Sequence, residues 1–259
     1  TTAGGSAVNG VLFQDEYGPG NLYVFSGDGT GFGGTVGRGS FYFNSDDTNL
    51  YIAFQPGATL NDVVVLYFDT VSGGENDASM GDAQTADRNV ISNLGSAGND
   101  GFPFLADYAL SIWNTGPAVD ADAYLYDLNP GGNNSLTFIA GTGVAPIDAG
   151  TQPIVREYAI PLSAMGISAG AQIKFFAAYC APSLFNSNET VPSIAAINSG
   201  ANPGTSGTVT YDAFAVFNTY VACTPPGIST DPADATSCDG TSAAFSVTAA
   251  GAGLSYQWQ

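Results

Sequence analysis

The sequence predicts an all-β protein built around one large antiparallel β-sandwich, and three observations predict it. Short runs rich in Val, Ile, Tyr and Phe recur between clusters of Gly, Asn and Asp, the composition of strands and their turns. Several of these runs alternate with period two, which places successive side chains on opposite faces of a sheet. Helical spacing is scarce, and 259 residues with 44% apolar and 12% aromatic content suffice to bury a large core.

Taken in order, the first strand candidates are VLFQ (Val11 to Gln14), NLYVFSG (Asn21 to Gly27) and GSFYFNS (Gly39 to Ser45). NLYIAF (Asn49 to Phe54) and DVVVLYFDT (Asp62 to Thr70) follow as neighbouring strands across a short turn. After a long polar loop come ADYALSIWN (Ala106 to Asn114), AYLYDL (Ala123 to Leu128) and LTFIAG (Leu136 to Gly141). The last candidates are VREYAIPL (Val155 to Leu162), AQIKFFAAYC (Ala171 to Cys180) and YDAFAVFNTYV (Tyr211 to Val221). In the last of these, Tyr211, Ala213, Ala215 and Phe217 share one face while Phe214 and Val216 share the other, so both faces are expected to be buried. About eleven short strands with such turns describe an antiparallel sandwich. A single helical turn is expected at SAMGI (Ser163 to Ile167), with Gly166 as its stop, and a second short helix within Leu184 to Ile197.

Asp69 closes an apolar run and releases the chain into about thirty residues of acidic, glycine-rich loop, longer than a compact domain carries without a use. Loops held at the ends of rigid sheets are where binding residues gather. Calcium takes about six to eight oxygens from carboxylates, amides and carbonyls on flexible loops. Asp69, Glu75, Asp77, Asp82, Asp100 and Asp107 are therefore the candidate calcium ligands, with Asp87 and Asn99 beside them. EF-hand spacing is absent, and a solvated loop with Asp69 capping a turn is the alternative. Asp46 and Asp47 form either a second cluster or an Asx turn. The glycine-rich SGDGTGFGG (Ser26 to Gly34) lacks the Lys and the following helix of a phosphate loop.

Charge is sparse and one-sided. Asp and Glu total 23 against 4 Lys and Arg, for a net charge of −19. Such a surface repels phosphate backbones and anionic lipid, so nucleic acid and anionic membranes are excluded as partners. Surplus carboxylates point to a hard cation such as calcium, or serve only to keep the protein soluble. No apolar run approaches the roughly 18 residues that span a bilayer, and the start TTAGGSAVNG reads as that of a mature or excised segment. Without any His there is no Ser-His-Asp or Cys-His unit. Paired carboxylates are enough for glycosidic hydrolysis, yet no pair stands out, and no enzyme is expected. Lys174, the only lysine, reads as a strand residue at an edge or in an ion pair.

The strand pattern breaks near Cys223, in the proline-rich CTPPGISTDPADATSCDG, so residues 1–222 form the sandwich domain and 223–259 begin another. In that tail GTSAAFSVTAAGAGLSYQWQ reads as strand, glycine turn and strand, with Trp258 on the second. A Trp there suits the front third of an immunoglobulin-like module; a hairpin belonging to the first domain is the alternative. Cys223 and Cys238 bracket the boundary and would bridge in an oxidising compartment, unless Cys238 pairs with a cysteine elsewhere in the second module. Cys180 reads as a buried thiol, and Asn133 and Asn188 lie in glycosylation triplets.

The order NLYIAF, VVVLYFDTVSGG, FPFLADYALSIW, AYLYDLN, REYAIPLSAMGI, IKFFAAY and SNETVP resembles a family of β-sandwich domains in large secreted proteins of environmental bacteria. Those domains are similar to family 9 carbohydrate-binding modules and DOMON-type sandwiches, and immunoglobulin-like repeats of the YQWQ type often follow them. The likeness covers most of residues 40–222 and implies a jelly-roll or immunoglobulin-like sandwich with a partial immunoglobulin-like C-terminal segment. Few Lys, many Gly, Thr, Ser and Asn, and the β-rich pattern point to export from a prokaryotic cell, to the extracellular space or the cell surface.

The expected function is a non-catalytic structural or adhesive role, as a calcium-stabilised subunit of a filament, surface layer or adhesin. Its partners would be other copies of itself or other surface proteins. TTAGGSAVNG would add as a strand to a neighbour's open sheet edge, or be a frayed end. The alternative is a carbohydrate-binding module that uses Tyr17, Tyr23 or Phe102 as stacking platforms for polysaccharide, although Trp113 and Trp258 fall in different domains and form no sugar clamp.

Overall fold

The computed structural model describes residues 8, 12, 16–29, 36–58, 60–75, 90, 91, 102–113, 123–128, 137–141, 155–183, 185–194, 211–221, 227–250 and 257. Its strands in chain order are β1 (Leu22–Val24), β2 (Ser40–Ser45), β3 (Asn49–Gln55), β4 (Val63–Asp69), β5 (Tyr108–Ile112), β6 (Ala123–Asp127) and β7 (Thr137–Gly141). They continue with β8 (Arg156–Pro161), β9 (Gln172–Cys180), β10 (Asn186–Val191), β11 (Ala215–Asn218), β12 (Gly227–Thr230) and β13 (Thr248–Ala250). Every pairing is antiparallel, and the protein is an all-β sandwich. Among the described residues no helix is long and apolar enough to cross a membrane.

One sheet has four strands in the order β1-β2-β3-β8; the other has seven, in the order β10-β9-β4-β5-β6-β7, with β11 also paired to β9. β10 and β11 share that edge, β10 along Ala177 to Cys180 and β11 along Gln172 to Phe175. The register places Phe43 opposite Ile52 and Ile52 opposite Tyr158, so alternate residues of three strands point the same way. They meet Leu66, Phe68, Leu110, Ile112, Ile173 and Phe175 from the facing sheet in one buried cluster. Phe43 stacks on Phe175 across the gap with ring centroids 4.5 Å apart. Ser26 and Thr190 exchange backbone hydrogen bonds of 2.9 and 3.1 Å, stitching the segment just after β1 to β10 of the other sheet.

The larger sheet is covered on its other face as well. Val63, Val65 and Tyr67 of β4 and Phe176 and Ala178 of β9 pack under Val90, Ile91, Phe102 and Phe104 from the long loop, with Tyr211 beside them. Burial on both faces explains why β4 reads VVVLYF without alternation. The expected turn after β8 is a 3₁₀ turn, Leu162–Met165, ended by Gly166 at φ 67°, a left-handed conformation that glycine adopts without strain.

Three expectations are corrected. The segment expected to be helical contains β10 instead, because its polar residues Ser187 to Thr190 find partners inside the fold. Residues 211–217 are not buried on both faces: Tyr211 and Ala213 join the outer-face cluster, while Ala215 and Phe217 pack against the inter-sheet core. That crossing from one layer to the other, at a sheet edge, leaves Phe214 and Val216 exposed. In the tail the first paired strand is β12, inside the stretch expected to interrupt the pattern, and it pairs with β13. VLFQ, apart from the half-buried Leu12, lies outside the described residues, as does Trp258. The chain divides into two compact units, Thr1–Tyr220 and Val221–Gln259.

Candidate functional site

The best-defined constellation lies at the base of the long loop, where β4 releases the chain and β5 takes it back. Glu75 and Ala106 pair through two backbone hydrogen bonds of 2.8 and 2.7 Å. The approach is close enough at Gly74, at φ 91°, that a Cβ there would lie 2.7 Å from the Ala106 carbonyl oxygen. Asp107 completes the closure. Its Oδ2 accepts from the backbone N–H groups of Thr70 at 2.7 Å and Val71 at 2.8 Å, and its own N–H donates to the Phe68 carbonyl at 2.8 Å. Its other oxygen, Oδ1, is buried and accepts no hydrogen bond. Burial pushes the carboxyl up, the Val71 and Thr70 N–H groups pull it down, and the neighbouring Asp69 charge pushes it up; the net shift is upward.

Asp69 is held by Lys174, whose Nζ lies 2.7 Å from Oδ2, and Lys174 also sits 5.7 Å from the centroid of the Phe214 ring. Of the six expected calcium ligands, Asp69 and Asp107 are neighbours at the loop base and Glu75 pairs there through its backbone, while Asp77, Asp82 and Asp100 lie outside the described residues. Among the described residues no three acidic, His or Cys side chains are grouped to hold a metal ion. Asp69 and Asp107 carry structural bonds instead, Asp69 to Lys174 and Asp107 to the Thr70 and Val71 N–H groups.

Two further acidic side chains, Asp46 and Glu189, are tied into the fold. Asp46 makes an Asx turn: Oδ1 accepts from Thr48 N, Thr48 Oγ1 and Asn49 N, and Oδ2 accepts from the Tyr51 hydroxyl at 2.7 Å. Glu189 on β10 receives the N–H groups of Val36 and Gly37. Asn188 Oδ1 receives that of Gly29 at 2.8 Å, and its Nδ2 donates to Asp28. The glycine-rich segment thus directs backbone N–H groups onto side chains of the same chain. Asn188 is buried, and a buried amide whose nitrogen already donates inward is not placed to carry a glycan; Asn133 lies outside the described residues.

Cys238 is an exposed free thiol; Cys223, its expected partner in a bridge, lies outside the described residues. Cys238 sits at an exposed turn where Thr241 N and Oγ1 donate to its carbonyl. Cys180 is buried, as expected, and burial pushes its thiol well up. The proposed sugar platforms are also reassigned. Tyr17 is fully buried with its hydroxyl on Glu157 Oε1 at 2.9 Å, and Phe102 is buried under the loop. Tyr23 is half-buried and donates to the Val216 carbonyl. The expectation takes these rings as exposed, and the sequence carries no local signal of what covers a ring.

Sequence reasoning passed over Glu189 and Arg156. Glu189 gives no local signal. Arg156 does: in REYAIP it shares a strand face with Tyr158 and Ile160, so a charge falls on an apolar face. No family model, no curated protein and no solved structure matches this chain.

Proposed function

We propose that this chain is a non-catalytic subunit of an extracellular prokaryotic assembly, a filament, surface layer or adhesin, which works through protein contacts and is stabilised by calcium. The observation that supports this reading is where apolar surface stays exposed. Leu22 and Val24, on the edge strand β1, are 49% and 47% exposed. An edge strand that shows alternate apolar side chains to water invites an added strand, and proteins without a partner there usually blunt it with charge, proline or a bulge. Support for calcium comes from the buried Asp107 Oδ1 beside Asp69 at the base of an acidic loop.

Light scattering and calorimetry test both parts. Wild type is expected to assemble as its concentration rises, while L22K/V24E stays monomeric with an unchanged Tm. Calcium is expected to raise Tm and chelation to lower it. A wild-type chain that remains monomeric throughout sinks the assembly reading, and a Tm indifferent to calcium sinks the metal.

Carbohydrate binding is the second reading. Phe214 is exposed beside Lys174, and the Gln172 and Asn218 side-chain amides, bonded to each other at 3.1 Å, lie on the same sheet face. A ring with amides at its rim is the chemistry of a sugar platform. Retention on polysaccharide that F214A abolishes would favour it; no retention on a broad polysaccharide panel removes it.

A further inference from the structure

Arg156 is the first residue of β8, an edge strand of the four-stranded sheet. It stands opposite Phe54, as Tyr158 stands opposite Ile52 and Ile160 opposite Leu50. Phe54, Ile52, Leu50, Tyr158 and Ile160 all belong to the inter-sheet core, so the register carries Arg156 onto that same inward face. The residue is 6% exposed, and its Nη1 is buried without a hydrogen-bond partner. The Tyr158 hydroxyl, two residues along, is fully buried and equally without one. Among the described residues no carboxylate forms an ion pair with Arg156; the one salt bridge there joins Lys174 to Asp69.

A buried guanidinium without a counter-charge is costly, and so is a buried hydroxyl left unbonded. Two residues of a strand span about 7 Å, and both side chains leave the same face of β8. The planar fork of arginine presents parallel N–H donors that match two oxygens of a carboxylate or sulfate, and a phenol supplies a further donor. The position at the first residue of an edge strand, with a sliver of exposure remaining, gives a small ion a way in. We propose that Arg156 and Tyr158 form an internal receptor for one small oxyanion, a carboxylate or a tetrahedral oxyanion, bound between the two sheets at the start of β8. The receptor is independent of the assembly and calcium readings.

The test is thermal unfolding of the full chain, dialysed into chloride and then titrated with acetate or with sulfate at constant ionic strength, beside R156M and Y158F. Wild type is expected to show a saturable rise in Tm, reaching about 5 °C once the anion exceeds its Kd about a hundredfold. R156M is expected to lose the saturable rise, and Y158F to need about tenfold more anion. A rise with acetate alone assigns a carboxylate ligand, and a rise with sulfate alone a tetrahedral one. General salting effects grow without saturation and act alike on every variant. Should R156M fail to fold, Y158F and titration calorimetry of wild type decide. Equal curves for wild type and Y158F without heat of binding, or no anion-dependent rise in wild type, would overturn the proposal.

Discussion

Asp46 and Asp107 are carboxylates of one chain whose surroundings shift them in opposite directions. Burial alone would push Asp46 up, but the Tyr51 hydroxyl, the Thr48 and Asn49 N–H groups and the Thr48 hydroxyl together outweigh it and hold the carboxyl down at about 2, from an ordinary 3.8. A depressed carboxyl contributes stability that is present above 3.8 and lost as pH falls through about 2. D46N is therefore expected to lose about 1 kcal/mol at neutral pH and to flatten the acid limb of the stability profile in that window, read by denaturant unfolding. Asp107 goes the other way: with its carboxyl raised by burial, its ionisation works against the fold. Its contribution is present below 3.8 and lost as pH rises through the raised value. D107N keeps an acceptor for Thr70 and Val71 and removes the buried charge, so it is expected to match or exceed wild type in stability at neutral pH without calcium. It is also expected to abolish any calcium-dependent rise in Tm. A calcium response that survives D107N would take Asp107 out of the proposed metal site.

At the scale of elements, β10 and the long loop show how far local pattern reaches. β4 and β9 were legible because a strand buried on both faces must be apolar on both, as VVVLYF and IKFFAAYC nearly are. β10 reads NSNETV, every residue buried, and no propensity argument selects it as an inner strand. Its side chains are tolerated because Asp28, Gly29, Val36 and Gly37 come to meet them. The acidic loop likewise contains Phe102 and Phe104, which the sequence shows, and which the fold uses to roof Tyr67 and Phe176. F102A is expected to cost about 3–5 kcal/mol and to speed hydrogen exchange along β4 and β9. An effect under about 1 kcal/mol would mean that the roof contributes little to stability.

For the whole molecule, the division into Thr1–Tyr220 and Val221–Gln259 makes a direct statement about folding. The first unit contains both packed sheets and both buried clusters. Among the described residues the second has one short two-stranded ribbon, β12 with β13, and exposed Ile228 and Phe245, too little for independent stability. A chain ending at Tyr220 is therefore expected to unfold cooperatively with a Tm within about 2 °C of the full chain. A drop well beyond that would show that residues 221–259 stabilise the sandwich. The net charge of −19 acts at this scale too, opposing indiscriminate association, while the proposed assembly edge at Leu22 and Val24 carries no charge of its own.

By itself the sequence determined the all-β class, ten of the strands to within a few residues, and the alternation that sends Phe41, Phe43, Ile52 and Phe175 inward. These are properties of neighbours: period, branching and turn residues are written within ten positions of each other. Only the tertiary structure decided what each polar group does. Lys174 meets Asp69 across 105 positions, Gly29 meets Asn188 across 159, and Tyr17 meets Glu157 across 140. Whether a carboxylate binds a cation, caps a loop or receives backbone N–H groups depends on which distant donors the fold delivers and on how much water it removes. Neither quantity has a local signature, which is why the fold class was readable residue by residue while the site was not.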